Sequence, residues 1–305
     1  MTIRLTVERE RWWHHVTDVA AATPGLVPVV KGNGYGFGRV GLASIAIELG
    51  PLLAVGTVYE LDGLPDAATP IVLTPTLTAP ADNDPVLTVG SSAHIEALRD
   101  WGGRVIVKLV SPMLRYGGTI ELVAEAQRAG LRTVGVSIHP PLAGDDDARR
   151  AHIVEQLAHI DPSLDVWVSH LSPAVYESLP TSHQYKLRSG TYLWHGDRAA
   201  LRLEADVLEV RPVTAGTRAG YRLTEVPGDG ALVMVGAGSA GGVTALTDGR
   251  SPYHFQRQRI DLLEPPHMHT SMLFVPAGQP CPSVGDWVDL QRPLISTHAD
   301  ELRWI

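Results

Sequence analysis

The chain has 305 residues, 44% hydrophobic and 19% charged, which is enough apolar material for a sizeable core. Its formal net charge of -8 sets aside a nucleic acid or an anionic membrane surface as partner. A single cysteine, Cys281, excludes an internal disulfide framework and a cysteine-rich zinc site and fits a reducing compartment.

The opening segment MTIRLTVERERWWHHV lacks the apolar centre of a signal peptide, and no apolar run is long enough to span a bilayer, so a cytoplasmic location is expected. A first helix is predicted here. The pairs Trp12-Trp13 and His14-His15 face different directions on it, which suits packing rather than a ligand site.

Short runs rich in Val, Ile and Leu then recur: VPVV, LLAVGTV, PIVLTP, PVLTVG, RVIVKLV, TVGVSI, DVWVSH and KLRSGTYLW. They are continuous rather than alternating, as strands buried in a parallel sheet are, and eight is the number that closes a barrel. Between them lie VGLASIAIELG, SAHIEALRDWG, TIELVAEAQRAG and ARRAHIVEQLAHI, with helical spacing and several closing glycines. GDDDARR places acids at a helix start, near its positive end.

After about Asp197 the texture changes to LRLEADVLEVRPV, ALVMVGAG, RIDLLEP, SMLFVPAG and DWVDLQRP, separated by glycine and proline clusters. The expected fold is α/β: a (β/α)8 TIM-type barrel over residues 1–197, followed by a smaller C-terminal β domain over 198–305.

Within the barrel, VPVVKGNGYGFG delivers Lys31 from the end of an apolar strand into a glycine-rich turn. Residues at the C-terminal ends of barrel strands point into the site. A desolvated lysine there has a lowered pKa and forms a Schiff base with a carbonyl, for which pyridoxal phosphate is the obvious source. The glycines let backbone approach a ligand, and Tyr35 can donate to a phosphate oxygen. A strand-end lysine that snorkels to solvent is the plainer alternative.

VVKGNGYGFG resembles the VVKADAYGHG-type segment of alanine racemases and other fold-type III pyridoxal phosphate enzymes. LLAVGTVYELDGL is similar to their next strand and helix, and VIVKLVSPMLRYGG to the strand that bears a lysine and then an arginine. TVGVSIHPPL is similar to the strand ending in a ring-stacking histidine, and KLRSGTYLWHG to the segment whose arginine faces the pyridine nitrogen.

The resemblance implies roles residue by residue. Lys31 would be the Schiff-base lysine and Tyr35 a phosphate ligand. Arg188 would contact the pyridine nitrogen, with Gly190 and Thr191 offering backbone N–H groups to the phosphate. His139 would lie against the ring face, and Arg115 near the phenolic oxygen or the substrate carboxylate. Lys108 is a matching position whose family counterpart can be carbamylated. Ser172 falls in the loop that carries a phosphate-binding hydroxyl, with Ser169 and His170 as rivals.

Two departures stand out. Racemisation needs acid–base groups on both faces of Cα. In alanine racemases the second is a tyrosine in an IGYADGY-type segment of the partner subunit; the best match here, VGAGSAGG, places Ala237 at that position. The chain also ends at Ile305, before the stretch that returns another phosphate-binding tyrosine in the family. Tyr253 or His254, in SPYHFQRQR, is the expected substitute, from a loop folding back, with Tyr221 a further possibility. PPHMHTSM is similar to the place where D-threonine aldolases and D-serine dehydratases carry a metal-binding pair, so His267 and His269 are candidate ligands of a divalent metal.

The expectation is a pyridoxal phosphate-dependent racemase or epimerase acting on an amino acid, atypical in its second base, and a homodimer with no nucleic-acid or membrane partner. The alternatives are an aldolase or dehydratase acting on a D-amino acid, metal-assisted, or a catalytically degenerate pyridoxal phosphate-binding protein.

Overall fold

A computed structural model describes residues 2–305. The chain divides into two compact units, one of residues 14–34 and 39–196, the other of the described residues up to Trp13, residues 35–38 and residues 197–305.

In chain order, strand β1 (Ile3–Val7) and helix α1 (Arg9–Ala21) come first. Eight strands follow: β2 (Leu26–Pro28), β3 (Leu52–Val55), β4 (Thr69–Val72), β5 (Val86–Val89), β6 (Arg104–Lys108), β7 (Arg132–Ser137), β8 (Asp165–Ser169) and β9 (Tyr185–Ser189). All pair in parallel, in the order β2-β9-β8-β7-β6-β5-β4-β3. A bridge from Val29 to Ala54, with the Val30 N–H donating to the Ala54 carbonyl at 2.8 Å, brings β2 back to β3 and closes the barrel. A closed parallel sheet has no edge, and its strands are covered on both faces. That is why each run is nearly all branched apolar residues; β5 is buried at every position.

Helices α2 (Arg39–Ala46), α3 (Ser92–Ala97), α4 (Glu121–Arg128), α5 (Asp146–Leu157) and α6 (Pro173–Glu177) lie in the crossovers, and α7 (Thr191–His195) follows the last strand. Ser91 and Asp145 cap α3 and α5 by accepting from the N–H groups of His94 and Ala148. The helix expected in LLAVGTVYELDGL does not form. Only a single turn, Val58–Glu60, follows β3, because Gly63 at φ +72° and Pro65 interrupt any longer helix. Among the described residues no α-helix joins β4 to β5 either.

The second unit is built from β10 (Leu201–Val213), β11 (Arg218–Ala219), β12 (Thr224–Glu225), β13 (Gly230–Val235), β14 (Tyr253–Phe255), β15 (Gln258–Arg259), β16 (Asp261–Leu262), β17 (Ser271–Pro276), β18 (Trp287–Leu290) and β19 (Glu301–Trp304). Its main sheet runs β15-β14-β18-β10-β13-β17-β16. The first strand, in a segment counted with the barrel but not read as a strand, lies antiparallel to β10 and parallel to β19. Its polar members are buried because Arg4 and Thr6 both donate to Glu204, each at 3.1 Å. Trp12 packs on Phe37 and Trp304 with ring centroids 5.0 and 5.3 Å away. SPYHFQRQR, expected as a loop, is a hairpin: β14 pairs with β15 across Gln256 and Arg257, both at positive φ. No helix among the described residues is long and apolar enough to cross a membrane.

Candidate active site

Lys31 leaves the barrel wall three residues beyond β2, where backbone pairing with β9 and β3 has just ended. The Gly34 N–H donates back to the Lys31 carbonyl at 3.2 Å, making a tight turn. Gly34 sits at φ +62°, and a Cβ there would stand 2.5 Å from the Arg39 nitrogen, so no other residue fits. The side chain of Lys31 reaches solvent, yet its amine is held below the ordinary lysine range. Desolvation by the surrounding protein is the largest cause, repulsion from Arg188 and Arg115 adds to it, and Glu60 opposes it.

Lys108, the last residue of β6, is buried, and its pKa is pushed down to about 7 by desolvation and then by Arg188 and Arg115. Its ammonium lies 5.6 Å from the centre of the Tyr116 ring, over which the exposed Arg115 also sits, and Arg115 donates to the Tyr116 hydroxyl at 3.1 Å. Four basic groups, Lys31, Lys108, Arg115 and Arg188, therefore share one end of the barrel in a chain whose net charge is negative.

Arg188 is set near the end of β9 by carbonyl groups rather than by a carboxylate. Its Nε donates to Val168 at 3.3 Å, and its Nη2 to Ile138 at 3.2 Å and to the Ser169 hydroxyl at 3.4 Å. Burial lowers its pKa only to about 10, so it stays a cation at neutral pH. Ser169 also hydrogen-bonds Nδ1 of His139, whose ring lies 4.5 Å from that of His170. Burial first, and the neighbouring cations second, push the His139 pKa down to about 2, which leaves the imidazole neutral.

Ser172 is differently employed. Its hydroxyl caps α6 by accepting from the Val175 N–H and donates to Asp146 at 2.6 Å. An acid beside it repels an anion, and Ser169 is the rival that faces Arg188 and His139. Gly190 and Thr191 begin α7, with Thr191 exposed. Tyr35 is buried, at φ +56°, and burial raises its hydroxyl pKa to about 12.

In the second unit Ala237 is buried, and its carbonyl accepts from the Tyr253 hydroxyl at 3.1 Å and from the Ser271 hydroxyl at 2.7 Å. Tyr253 is fully buried and bonds Ser271 as well, so its hydroxyl is spent inside the β unit instead of folding back from a loop. His254 pairs with Arg259 across the hairpin and is half-buried. The two histidines proposed as metal ligands have different surroundings. His267 has Nε2 2.5 Å from the Glu264 carboxylate and Nδ1 3.5 Å from the Thr270 hydroxyl, while His269 is exposed. Among the described residues no group of three or more His, Cys, Asp or Glu could hold a metal ion.

Glu60 and Tyr116 act at this end of the barrel without having been singled out in the sequence, and Asp146, read there only as an acid at a helix start, also bonds Ser172. Glu60 had a signal: it lies four residues after Gly56 in GTVYEL, within reach of that glycine's N–H, to which it is bonded at 2.7 Å.

The sequence model of the family described as "Alanine racemase, N-terminal domain" matches residues 7–197. Solved structures share the fold over nearly the whole chain. Alanine racemase from Bacillus anthracis with bound L-Ala-P is 22% identical, with a TM-score of 0.77, covering 99% of this chain and 88% of that one. Alanine racemase from Bartonella henselae with covalently bound pyridoxal phosphate is 17% identical, with a TM-score of 0.74 and full coverage of both chains. Alanine racemase from the D-cycloserine producer Streptomyces lavendulae is 18% identical, with a TM-score of 0.74, covering 100% and 97%. No curated protein matches at the level of sequence.

Proposed function

This chain belongs to the alanine racemase N-terminal domain family, and from that premise we propose that it is a pyridoxal phosphate-dependent enzyme acting at Cα of an amino acid, with Lys31 as cofactor lysine and base. The observation that carries the reading is the Lys31 amine, held below its ordinary pKa among Arg188 and Arg115 at the open end of the barrel.

The residues fit the cofactor. Phosphate and phenolic oxygens are anionic, and the cations gathered here are offset at Lys31 by Glu60 alone among the groups acting on it. Among the described residues no carboxylate accepts a hydrogen bond from Arg188, which leaves its charge available to a ligand. When bound, the cofactor supplies a carbonyl carbon for the amine and a ring that withdraws the electron pair left when the Cα–H bond breaks.

The chain's own side chains do the rest. The lowered Lys31 pKa raises the neutral fraction of the amine, the form that attacks a carbonyl and takes up a proton. Arg188, a permanent cation, would donate to the pyridine nitrogen and keep it unprotonated, which weakens the ring as an electron sink and favours simple proton exchange. His139, neutral and hydrogen-bonded to Ser169, offers a flat face for the ring, and Arg115 offers a guanidinium to a carboxylate. Tyr35, Gly190 and Thr191 are proposed to hold the phosphate. A homodimer is part of the proposal, tested by sedimentation.

The deciding experiment combines the protein, pyridoxal phosphate and a panel of L- and D-amino acids in deuterated water, read by NMR and chiral chromatography beside Lys31→Ala. Deuterium entering with inversion, and an inert variant, supports the reading. Exchange with retention makes Lys31 the sole base and points away from racemisation. One observation favours a second reading, a cofactor-binding protein that has lost catalysis: Ala237 and the inward hydroxyl of Tyr253 leave the usual tyrosine role unfilled by either. Cofactor uptake with no exchange across the panel supports that reading.

A further inference from the structure

Nothing in the family resemblance gives Glu60 a role. We infer that Glu60 is the positioning residue of Lys31, stapling the turn that carries the lysine and placing a negative charge against the surrounding cations. The inference rests on reading Lys31 as the reactive lysine.

The staple is local and complete. On one side of Lys31, the Val30 N–H is fixed to the Ala54 carbonyl at 2.8 Å. On the other, the Gly32 N–H donates to Glu60 Oε2 at 3.3 Å, and the same oxygen accepts from the Gly56 N–H at 2.7 Å. One carboxylate oxygen thus joins the residue after Lys31 to the residue after β3. The glutamate is itself gripped from behind: Arg39, at the start of α2, donates through Nη1 to the carbonyls of Glu60 and Asp62, at 2.5 and 2.8 Å. Gly56 leaves the room this needs, since a Cβ there would approach Glu60 Oε1 to 3.0 Å.

A turn with Gly32 at φ +65° and Gly34 at φ +62° is the loosest kind of chain, and it carries the residue whose direction matters most. The carboxylate restricts it. Electrostatically, Arg188 and Arg115 repel the protonated Lys31 amine, while Glu60 attracts it; the charge of Lys31 in turn bears on His170. Removing the carboxylate charge leaves the amine among cations only. The neutral amine then becomes commoner, whereas loss of the acceptor oxygen shared by Gly32 and Gly56 frees the direction of the turn.

The test separates the two effects. Lys31 in cofactor-free protein is labelled with acetic anhydride across pH and quantified by mass spectrometry in wild type, Glu60→Gln, Glu60→Asp and Glu60→Ala. Glu60→Gln keeps an acceptor oxygen of the same reach and loses the charge, so Lys31 is labelled about threefold faster at pH 7.5 with little change in melting temperature. Glu60→Asp keeps the charge and shortens the staple, so pyridoxal phosphate binds about tenfold more weakly, read by fluorescence titration. Glu60→Ala shows both effects. Labelling and cofactor affinity within twofold of wild type in folded Glu60→Gln and Glu60→Asp overturn the inference. If wild type takes up no pyridoxal phosphate at Lys31, the proposed function fails, while the labelling series still decides the role of Glu60.

Discussion

The hydroxyl of Tyr253 donates to the carbonyl of Ala237 across 3.1 Å, so the nearest candidate for a missing proton donor is bonded to the residue that occupies the donor's expected place. Ser271 completes the arrangement, bonding both of them. A tyrosine used this way braces β14 against the segment after β13 and has no proton to offer outside the unit.

Tyr253→Phe should therefore act on stability. The Ala237 carbonyl keeps its Ser271 donor, so the loss is about 1 kcal/mol by thermal or denaturant unfolding, with exchange at Cα retained. Abolished exchange at unchanged stability would make the hydroxyl an acid–base group after all.

Lys31→Ala removes the only amine on the glycine-rich turn. Treatment with pyridoxal phosphate and borohydride adds the cofactor's mass to the Lys31 peptide of the wild type, and this adduct is absent in the variant. Exchange at Cα falls by about a thousandfold or more.

Arg188→Gln tests the electrostatic centre of the barrel mouth. Its charge lowers Lys31, Lys108 and His139 together, so all three pKa values should rise when it is removed. NMR titration of Lys108, which starts from about 7, reads the change under mild conditions. No movement at any of the three contradicts the geometry.

Lys108→Met should alter the pH dependence of stability. In the folded chain Lys108 titrates at about 7 against an ordinary 10.5. Between those values the unfolded chain holds the proton and the folded chain does not, so stability rises with pH across the window. Below about 7 both states hold it, and the cost of the buried ammonium is present in full. The variant is thus more stable than wild type in neutral and mildly acidic solution, by a margin that shrinks towards pH 10.5, as melting temperatures measured across pH would show.

The barrel was legible because burial on both faces leaves a continuous apolar signature; each of the eight runs supplies one strand, and LRLEADVLEVRPV is β10 from end to end. β1 was not, because nothing in IRLTV says that Arg4 and Thr6 have a buried partner two hundred residues on in Glu204. The hairpin at Tyr253 escaped for a related reason: Gln256 and Arg257 adopt positive φ without the asparagine or glycine that marks such turns. The resemblance makes Ser172 a phosphate-binding hydroxyl and misses the helix start marked by the serine before Pro173; the hydroxyl caps α6 instead. Glu60 shows where patterns stop: its spacing from Gly56 was readable, but its reach to Gly32 depends on how two neighbouring barrel strands end.

Gathering Lys31, Lys108, Arg115 and Arg188 at one end of an acidic chain sets two fields against each other. Within a Debye length, about 30 Å at 0.01 M salt but only about 10 Å at 0.1 M, an incoming anion is repelled by the net charge of the chain and drawn by the nearer basic groups. Added salt screens both, so arrival and departure of a phosphorylated ligand should quicken together. An equilibrium constant would hide most of that change, and stopped-flow traces at two ionic strengths would reveal it.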